Sequence, residues 1–336
     1  MKLLKEKESR ATLITLVLLA LCALLPNVAS SFVVFLLTKA LILSLASMQY
    51  ILLSGYGGMS SFAHISFYGI VAYILSSGTV IFSMSYSSAL ILAFAGVLAV
   101  VLLFALIAVQ TNGKYFMMMS IAFCQLIYLC AVQWVNLTRG INGVAGVPFP
   151  KLFGITISDR NTVFYFILVI VTLCYLFMKR LIASPYGIAL QGVRDNQKKM
   201  AALGYSVKLQ RYVAIVLTAL LSGVAGFLSV IFYRGIAPES VALSMGTVLI
   251  FISIIGCALR LEGAFAGALA YVLIEDITSQ YTERYKMLIG VLFILTVLFM
   301  NKGILGIDLR NTAKNAGTAS KRQRRQQNLL VGSDSQ

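Results

Sequence analysis

Chemistry has few places to reside in this chain. His64 is the only histidine, and no stretch reads as a G-x-x-x-x-G-K-[ST] phosphate loop or an H-E-x-x-H zinc helix, so the commonest ATPase and metallohydrolase constellations are missing. Cys22, Cys124, Cys130, Cys174 and Cys257 all sit in apolar stretches without metal-ligand spacing and read as packing residues. With no paired acids or nucleophile set, a membrane enzyme is disfavoured. The polar chemistry is concentrated instead in three interruptions of an apolar chain: GYGGMSSFAHISFYGIVAY at 55–73, LTRGINGVAGVPFP at 137–150 and SPYGIALQGVRDNQKKMAALGYS at 184–206.

The elements that must position these interruptions are membrane helices. Of 336 residues 60% are hydrophobic and only 11% charged, more apolar surface than one soluble core of that length needs to bury. Apolar runs near the roughly 20 residues that one helix needs to cross a bilayer fall at 32–53, 58–77, 88–109, 115–133, 162–182, 209–233, 244–259, 263–281 and 286–301. They are too continuous for the alternating strands of a β-barrel. An earlier apolar run at 11–25 follows a polar n-region and precedes Pro26, the layout of a signal peptide or a signal anchor; two glutamates in the n-region and the spans that follow favour retention. The fold class expected is therefore an all-α polytopic membrane protein with about 8 to 10 transmembrane or re-entrant helices.

The net charge of +16 is explained by the positive-inside rule rather than by nucleic-acid binding. With the N-terminus inside, alternation leaves Arg139, Lys151, Arg160, Arg234, Arg284 and Lys286 outside, Lys39 within a span, and the remaining basic residues inside. The 134–161 loop then faces outward, and the 183–206 loop and the C-terminus face inward. Lys39, near the outer boundary, is expected to snorkel towards water. Glu262, Glu275 and Asp276 are expected near helix ends, solvated or paired.

An internal echo is also legible. Gly58, Phe67, Gly69, Ala72 and Tyr73 recur 198 residues later as Gly256, Phe265, Gly267, Ala270 and Tyr271. Duplication and the general abundance of small residues in membrane helices account for it about equally well.

The inward loop predicts one short amphipathic helix, starting at Pro185 and ending at Gly204. Its apolar Ile188, Leu190, Val193, Met200, Ala201 and Leu203 oppose polar Gln191, Arg194, Asp195, Gln197 and Lys198, as for a helix lying on a membrane surface or in a partner's groove. This segment resembles the cytoplasmic coupling segment of the branched-chain amino-acid ABC transporter permeases, the LivM-type subunits, whose pattern is close to S-P-[FY]-G-R-A-L-x-A-[IV]-R-[DE]-N-x-x-A-A-x-x-[LM]-G. Ser184, Pro185, Tyr186, Gly187, Arg194, Asp195, Asn196 and Gly204 carry the match. The 55–73 and 137–148 stretches are similar to two further motifs of that family, in the same order. Departures stand at Ile188, Gln191, Ala63, Ala237 and the Arg260-Leu261 turn.

The resemblance implies a permease domain over 32–305, after an N-terminal signal anchor or first span at 1–31 and before a basic, disordered tail at 306–336. It implies a multi-pass protein of a bacterial inner membrane that pairs with a second homologous permease and two cytoplasmic ABC ATPases, and receives solute from a periplasmic or extracellular binding protein. ATP would be hydrolysed by those partners, with no cofactor bound by this chain. The coupling contacts would come from the eight matching residues of the inward loop. Gly55, Gly57, Gly58 and His64 are expected along the translocation path, with His64 holding a neighbouring helix by a hydrogen bond or touching solute. Asn142, Gly143, Gly146 and Pro148 are expected to meet the binding protein. Permeases for urea and short-chain amides share these motifs, and an ion-coupled secondary transporter, which should carry mid-span carboxylates as ion sites, is the rival from another class.

Overall fold

The computed structural model describes residues 30–152, 155–156, 159–257, 259–281 and 285–299, with isolated positions between 15 and 27. The polar N-terminus and the 306–336 tail lie outside the described residues. The first apolar segment is represented in part, where Leu19 is buried and Tyr165 donates to the Ala23 carbonyl at 3.1 Å.

The apolar runs form helices, and glycines decide where they break. Helix α1, Ser31–Tyr50, continues into a π-helical turn at Ile51–Tyr56. At its end the Gly57 amide reaches back to Leu52, and a Cβ on Gly57 would lie 2.7 Å from the Leu53 carbonyl, so the wide turn closes only with glycine there. Gly58 follows at φ +67°, and the chain reverses into α2, Ala63–Val80. Helices α3 (Tyr86–Ala108), α4 (Lys114–Gln133) and α5 (Arg160–Ala183) follow. The inward loop forms α6 (Pro185–Asp195) and α7 (Gln197–Ala202) before the long α8, Val207–Tyr233. The chain then gives α9 (Leu243–Gly256), α10 (Leu261–Tyr281) and α11 (Tyr285–Phe299).

Six helices among the described residues are long and apolar enough to cross a membrane: α1 with its π turn, α2, α3, α4, α5 and α8. The pair α9 and α10, bent by 113°, brings the number to seven if counted as one span. The apolar run at 244–259 is thus one arm of a broken pair. Burial sorts the spans: 89% of the most apolar stretch of α2 is buried and 67% of those of α1 and α8, against 22% for α4 and 28% for α3 and α5. The first three form the interior. The others present Ile91, Leu103, Met118 and Leu173 outward, an apolar surface suited to lipid.

Small residues allow this interior to close. A Cβ on Gly226 of α8 would run into the Tyr68 carbonyl of α2, and one on Gly263 or Gly267 of α10 into the backbone of α9. Two short antiparallel pairings complete the fold. Strand β1 (Val144–Ala145) joins β4 (Gly235–Ile236), and β2 (Lys151–Leu152) joins β3 (Ile155–Thr156). The first ties the 134–161 loop to the end of α8, as expected if both lie on one side of a membrane.

The 198-residue echo coincides with structure. Helices α2 and α10 begin at Ala63 and Leu261, the same offset, and each follows a break in the preceding helix. The breaks touch, because the Tyr56 hydroxyl donates to the Leu259 carbonyl at 3.0 Å.

Candidate translocation path and coupling surface

At the end carrying the 183–206 loop, local rules build the surface. Ser184 caps α6 by accepting from the Gly187 amide at 3.3 Å, and Pro185 occupies the first turn, where its missing N–H costs nothing. The sequence predicted one helix to Gly204, and the structure corrects this. Asn196 adopts extended backbone, ends α6, and caps α7 by accepting from the Lys199 amide at 2.9 Å. Gly204, at φ +88°, closes α7 with the Tyr205 amide reaching Met200 and its own amide reaching Ala201, the paired bonds of a Schellman motif. Gly187 is buried where a Cβ would meet the Leu181 and Ile182 carbonyls, so the α5–α6 corner depends on its having no side chain.

The expected amphipathic face divides in two. Leu190 and Val193 are buried against the bundle, whereas Ile188 is 65% and Leu203 72% exposed. Tyr186 donates to the Gln210 carbonyl at 2.8 Å, and burial pushes its phenol up from the ordinary value. Arg194 makes the long-range link. Its Nη1 donates to the Gly55 carbonyl at 2.6 Å, its Nη2 pairs with Asp195 at 2.9 Å, and its stem covers Gly58, where a Cβ would sit 2.6 Å from Cγ.

Two further polar clusters lie at this end. Arg211 of α8, buried to 3% exposure, donates to the Thr111 carbonyl at 2.6 Å and to Asn112 Oδ1, fastening the α3–α4 turn. Glu262 of α10 is 7% exposed and accepts from Lys179 and, at 3.0 Å, from the Tyr175 hydroxyl, both on α5. Glu262 therefore stands in the first turn of α10 and is paired, one of the two states expected for it. Among the described residues Glu262 is buried and Glu275 partly so, each paired with a lysine.

At the opposite end a cavity of about 440 Å³ opens between α1, α2, α8 and α10, with Asn142, Val144 and Ala145 on one wall and Gly235 to Ala237 on another. Across it Lys39 Nζ and Glu275 Oε2 pair at 2.9 Å. Lys39, expected to snorkel towards water, is paired with a carboxylate on the facing helix while its side chain keeps 24% exposure. Sequence reasoning treated the two residues separately, and only the 236-residue separation hid the pair.

The other expected residues scatter. Gly55, Gly57 and Gly58 lie at the Arg194 end, not in this cavity. His64 is buried in the first turn of α2, and its link to a neighbouring helix is through its carbonyl, which accepts from Ser222 at 2.6 Å. Asn142 lines the cavity, while Gly143, at φ +66°, packs against Ile236. The Gly146 amide donates to the Arg234 carbonyl at 3.0 Å, and Pro148 is exposed.

Multiple apolar helices around a largely apolar cavity that carries one ion pair, with broken helices packed together at the far end, define a multi-pass α-helical membrane protein. The family described as branched-chain amino acid transport system / permease component matches residues 32–297, and the chain belongs to it. It is 22% identical over 278 residues to the high-affinity branched-chain amino acid transport system permease protein LivM of Escherichia coli (strain K12), covering 76% of this chain and 64% of that one. To the protein of the same description from Salmonella typhimurium it is 24% identical over 281 residues, with the same coverage, 76% and 64%. A probable branched-chain amino acid transport permease protein LivM of Methanocaldococcus jannaschii is 24% identical over 194 residues, covering 57% of this chain and 55% of its own. The chain thus spans less than two thirds of the length of these relatives. No solved structure matches it.

Proposed function

We propose that this chain is the membrane permease subunit of an ATP-driven importer for branched-chain or related amino acids. It forms the translocation pathway with a second, homologous permease, is moved by two cytoplasmic ATPase subunits, and takes solute from a binding protein on the opposite face of a bacterial inner membrane. Both described ends of the bundle support this division of labour. The observation that carries it is the α6–α7 surface. Exposed Ile188 and Leu203 offer apolar contacts to a partner, and Arg194, on the same loop, holds the broken end of α1. A rigid shift of α6 imposed by ATPase closure would be delivered to Gly55 and Gly58, where the backbone already departs from α-helix, and would bias the pathway between two states. Relatives named as permeases of branched-chain amino acid transport systems support the solute class. The paired state of Glu262 and Glu275 leaves both carboxylates neutralised by lysine, which favours an external motor over ion coupling.

The test is co-purification from mild detergent followed by uptake in vesicles. Double substitution Ile188→Asp with Leu203→Asp is expected to leave a folded chain that no longer brings down the ATPases. Uptake that continues without ATP and collapses with an ion gradient would reject the proposal.

A further inference from the structure

We propose that the cavity between α1, α2, α8 and α10 is a binding site for a zwitterionic α-amino acid, in which the solute inserts into the Lys39–Glu275 ion pair. The inference rests on the proposed function and names the place and chemistry of solute contact within it. The cavity, at about 440 Å³, is in the size range of small-ligand sites, roughly 300–1,000 Å³. Its lining combines two chemistries. Ile42, Leu43, Val144, Ile236 and Met245 are apolar, and the charged pair stands with the hydroxyl-bearing Tyr68, Ser229, Tyr233 and Ser240.

The ion pair is neither dry nor free. Its side chains retain 24% and 19% exposure, so the charges remain reachable from the cavity while their partner is fixed across it. An α-amino acid carries a carboxylate and an ammonium on one carbon. Inserted between Lys39 and Glu275, it replaces one ion pair by two, carboxylate to Lys39 and ammonium to Glu275, with no change in net charge and no charge left unpaired. The apolar side chain is then directed to the Ile42, Leu43 and Met245 wall, where burial repays desolvation. A neutral amide gains little from separating the pair. A simple cation satisfies Glu275 only by leaving Lys39 unpaired in a low-dielectric site, which is costly. The pair therefore selects for solutes carrying both charges close together.

Occupancy also carries a structural consequence. Lys39 lies on α1 and Glu275 on α10, the helices whose breaks are joined by Tyr56 and Leu259 at the other end. A solute holding these two helices apart acts on the same two rods that meet at the breaks.

The experiment uses the complete transporter reconstituted in vesicles, with radiolabelled L-leucine as probe. Lys39→Met and Glu275→Gln are each expected to lower ATP-driven uptake by about tenfold or more, with the ATPases still co-purifying. The double variant Lys39→Met with Glu275→Gln removes both charges and is expected to keep the fold about as stable as the wild type while leaving uptake low. The exchange Lys39→Glu with Glu275→Lys restores the pair but reverses its direction, and uptake is expected to stay low. Recovery in either double variant shows a purely structural pair and overturns the inference. As a check independent of the charges, Ala145→Trp at the cavity wall is expected to block uptake, and normal uptake in it overturns the inference equally. A wild-type complex that moves urea but no amino acid defeats the proposed function, whereas leucine uptake indifferent to all these variants defeats only the site.

Discussion

Arg194 Nη1 lies 2.6 Å from the Gly55 carbonyl, joining two residues 139 positions apart and two segments with different expected roles. One is the inward loop and the other the irregular end of α1. The contact is available because the helix ends at Tyr56, so the Gly55 carbonyl lies in the last turn and has no amide one turn further on to accept from. Gly58, at φ +67° and directly beneath the Arg194 stem, lets the two approach.

From that contact, Arg194→Ala is expected to separate motor from pathway. The ATPases should still bind, because Ile188, Leu203 and the capped helices remain. Leucine taken up per ATP hydrolysed should fall by about tenfold, the loss of a charge-assisted hydrogen bond being worth roughly 1.5–3 kcal/mol. Parallel assays of hydrolysis and uptake in vesicles check this, and an unchanged ratio counts against mechanical coupling through Gly55. Gly58→Ala should be less stable by about 1–2 kcal/mol, the cost of a Cβ in left-handed backbone.

The Lys179–Glu262 pair makes a separate prediction about stability. Glu262 is 7% exposed and Lys179 23%, so removing the lysine leaves a carboxylate in a poorly hydrated site with Tyr175 as its remaining neighbour. Lys179→Met should cost about 2–4 kcal/mol, below the full penalty for a deeply buried pair because the lysine end is partly wet. Lys179→Met combined with Glu262→Gln should recover most of that loss. Unfolding temperatures in detergent for the single and double variants measure the difference.

How much of this was legible in the sequence depended on range. Apolar runs placed the long helices well, since a membrane span is a local property of about 20 residues. Pro185 and Gly204 marked the two ends of the inward loop through local backbone rules. The break at Asn196 was missed because the loop's apolar spacing runs through it, and a capping side chain is a weaker signal than periodicity. Lys39 and Glu275 were each noticed as charges in apolar surroundings. Their pairing depends on how α1 crosses α10, which nothing local to either segment encodes. Gly55, Gly57 and Gly58 are expected along the translocation path, and their position at the coupling end depends on the packed bundle.

Tyr186 supplies a pH-dependent test outside the spans. Its phenol is pushed up by burial, so the folded chain holds this proton more tightly than the unfolded chain, whose tyrosines ionise near about 10. Below that pH both states are protonated and the hydrogen bond to Gln210 contributes fully. Above it the unfolded state alone loses the proton, and stability falls as pH rises. Tyr186→Phe should therefore be about 1 kcal/mol less stable at neutral pH and show a shallower decline above pH 10. Denaturation midpoints across that range decide it, and parallel curves for the two proteins would contradict the assignment.

The closing of the interior is tested by two glycines in contrasting places. A Cβ on Gly226 would meet the Tyr68 carbonyl, a backbone atom of a largely buried helix that cannot step aside cheaply. Gly226→Ala should push α8 away from α2, loosen the most buried contact of the bundle and cost about 1–3 kcal/mol despite the better helix propensity of alanine. Gly290 of α11 has nothing within 4 Å of the same added atom. Gly290→Ala should then be neutral or up to about 1 kcal/mol more stable, because only propensity acts. If both substitutions shift the unfolding temperature in the same direction, glycine at 226 is not there for close approach. Opposite shifts would identify the α2–α8 crossing as the place where small side chains set the spacing of the inner helices, and with it the width of the cavity that Tyr68 and Ser229 help to line.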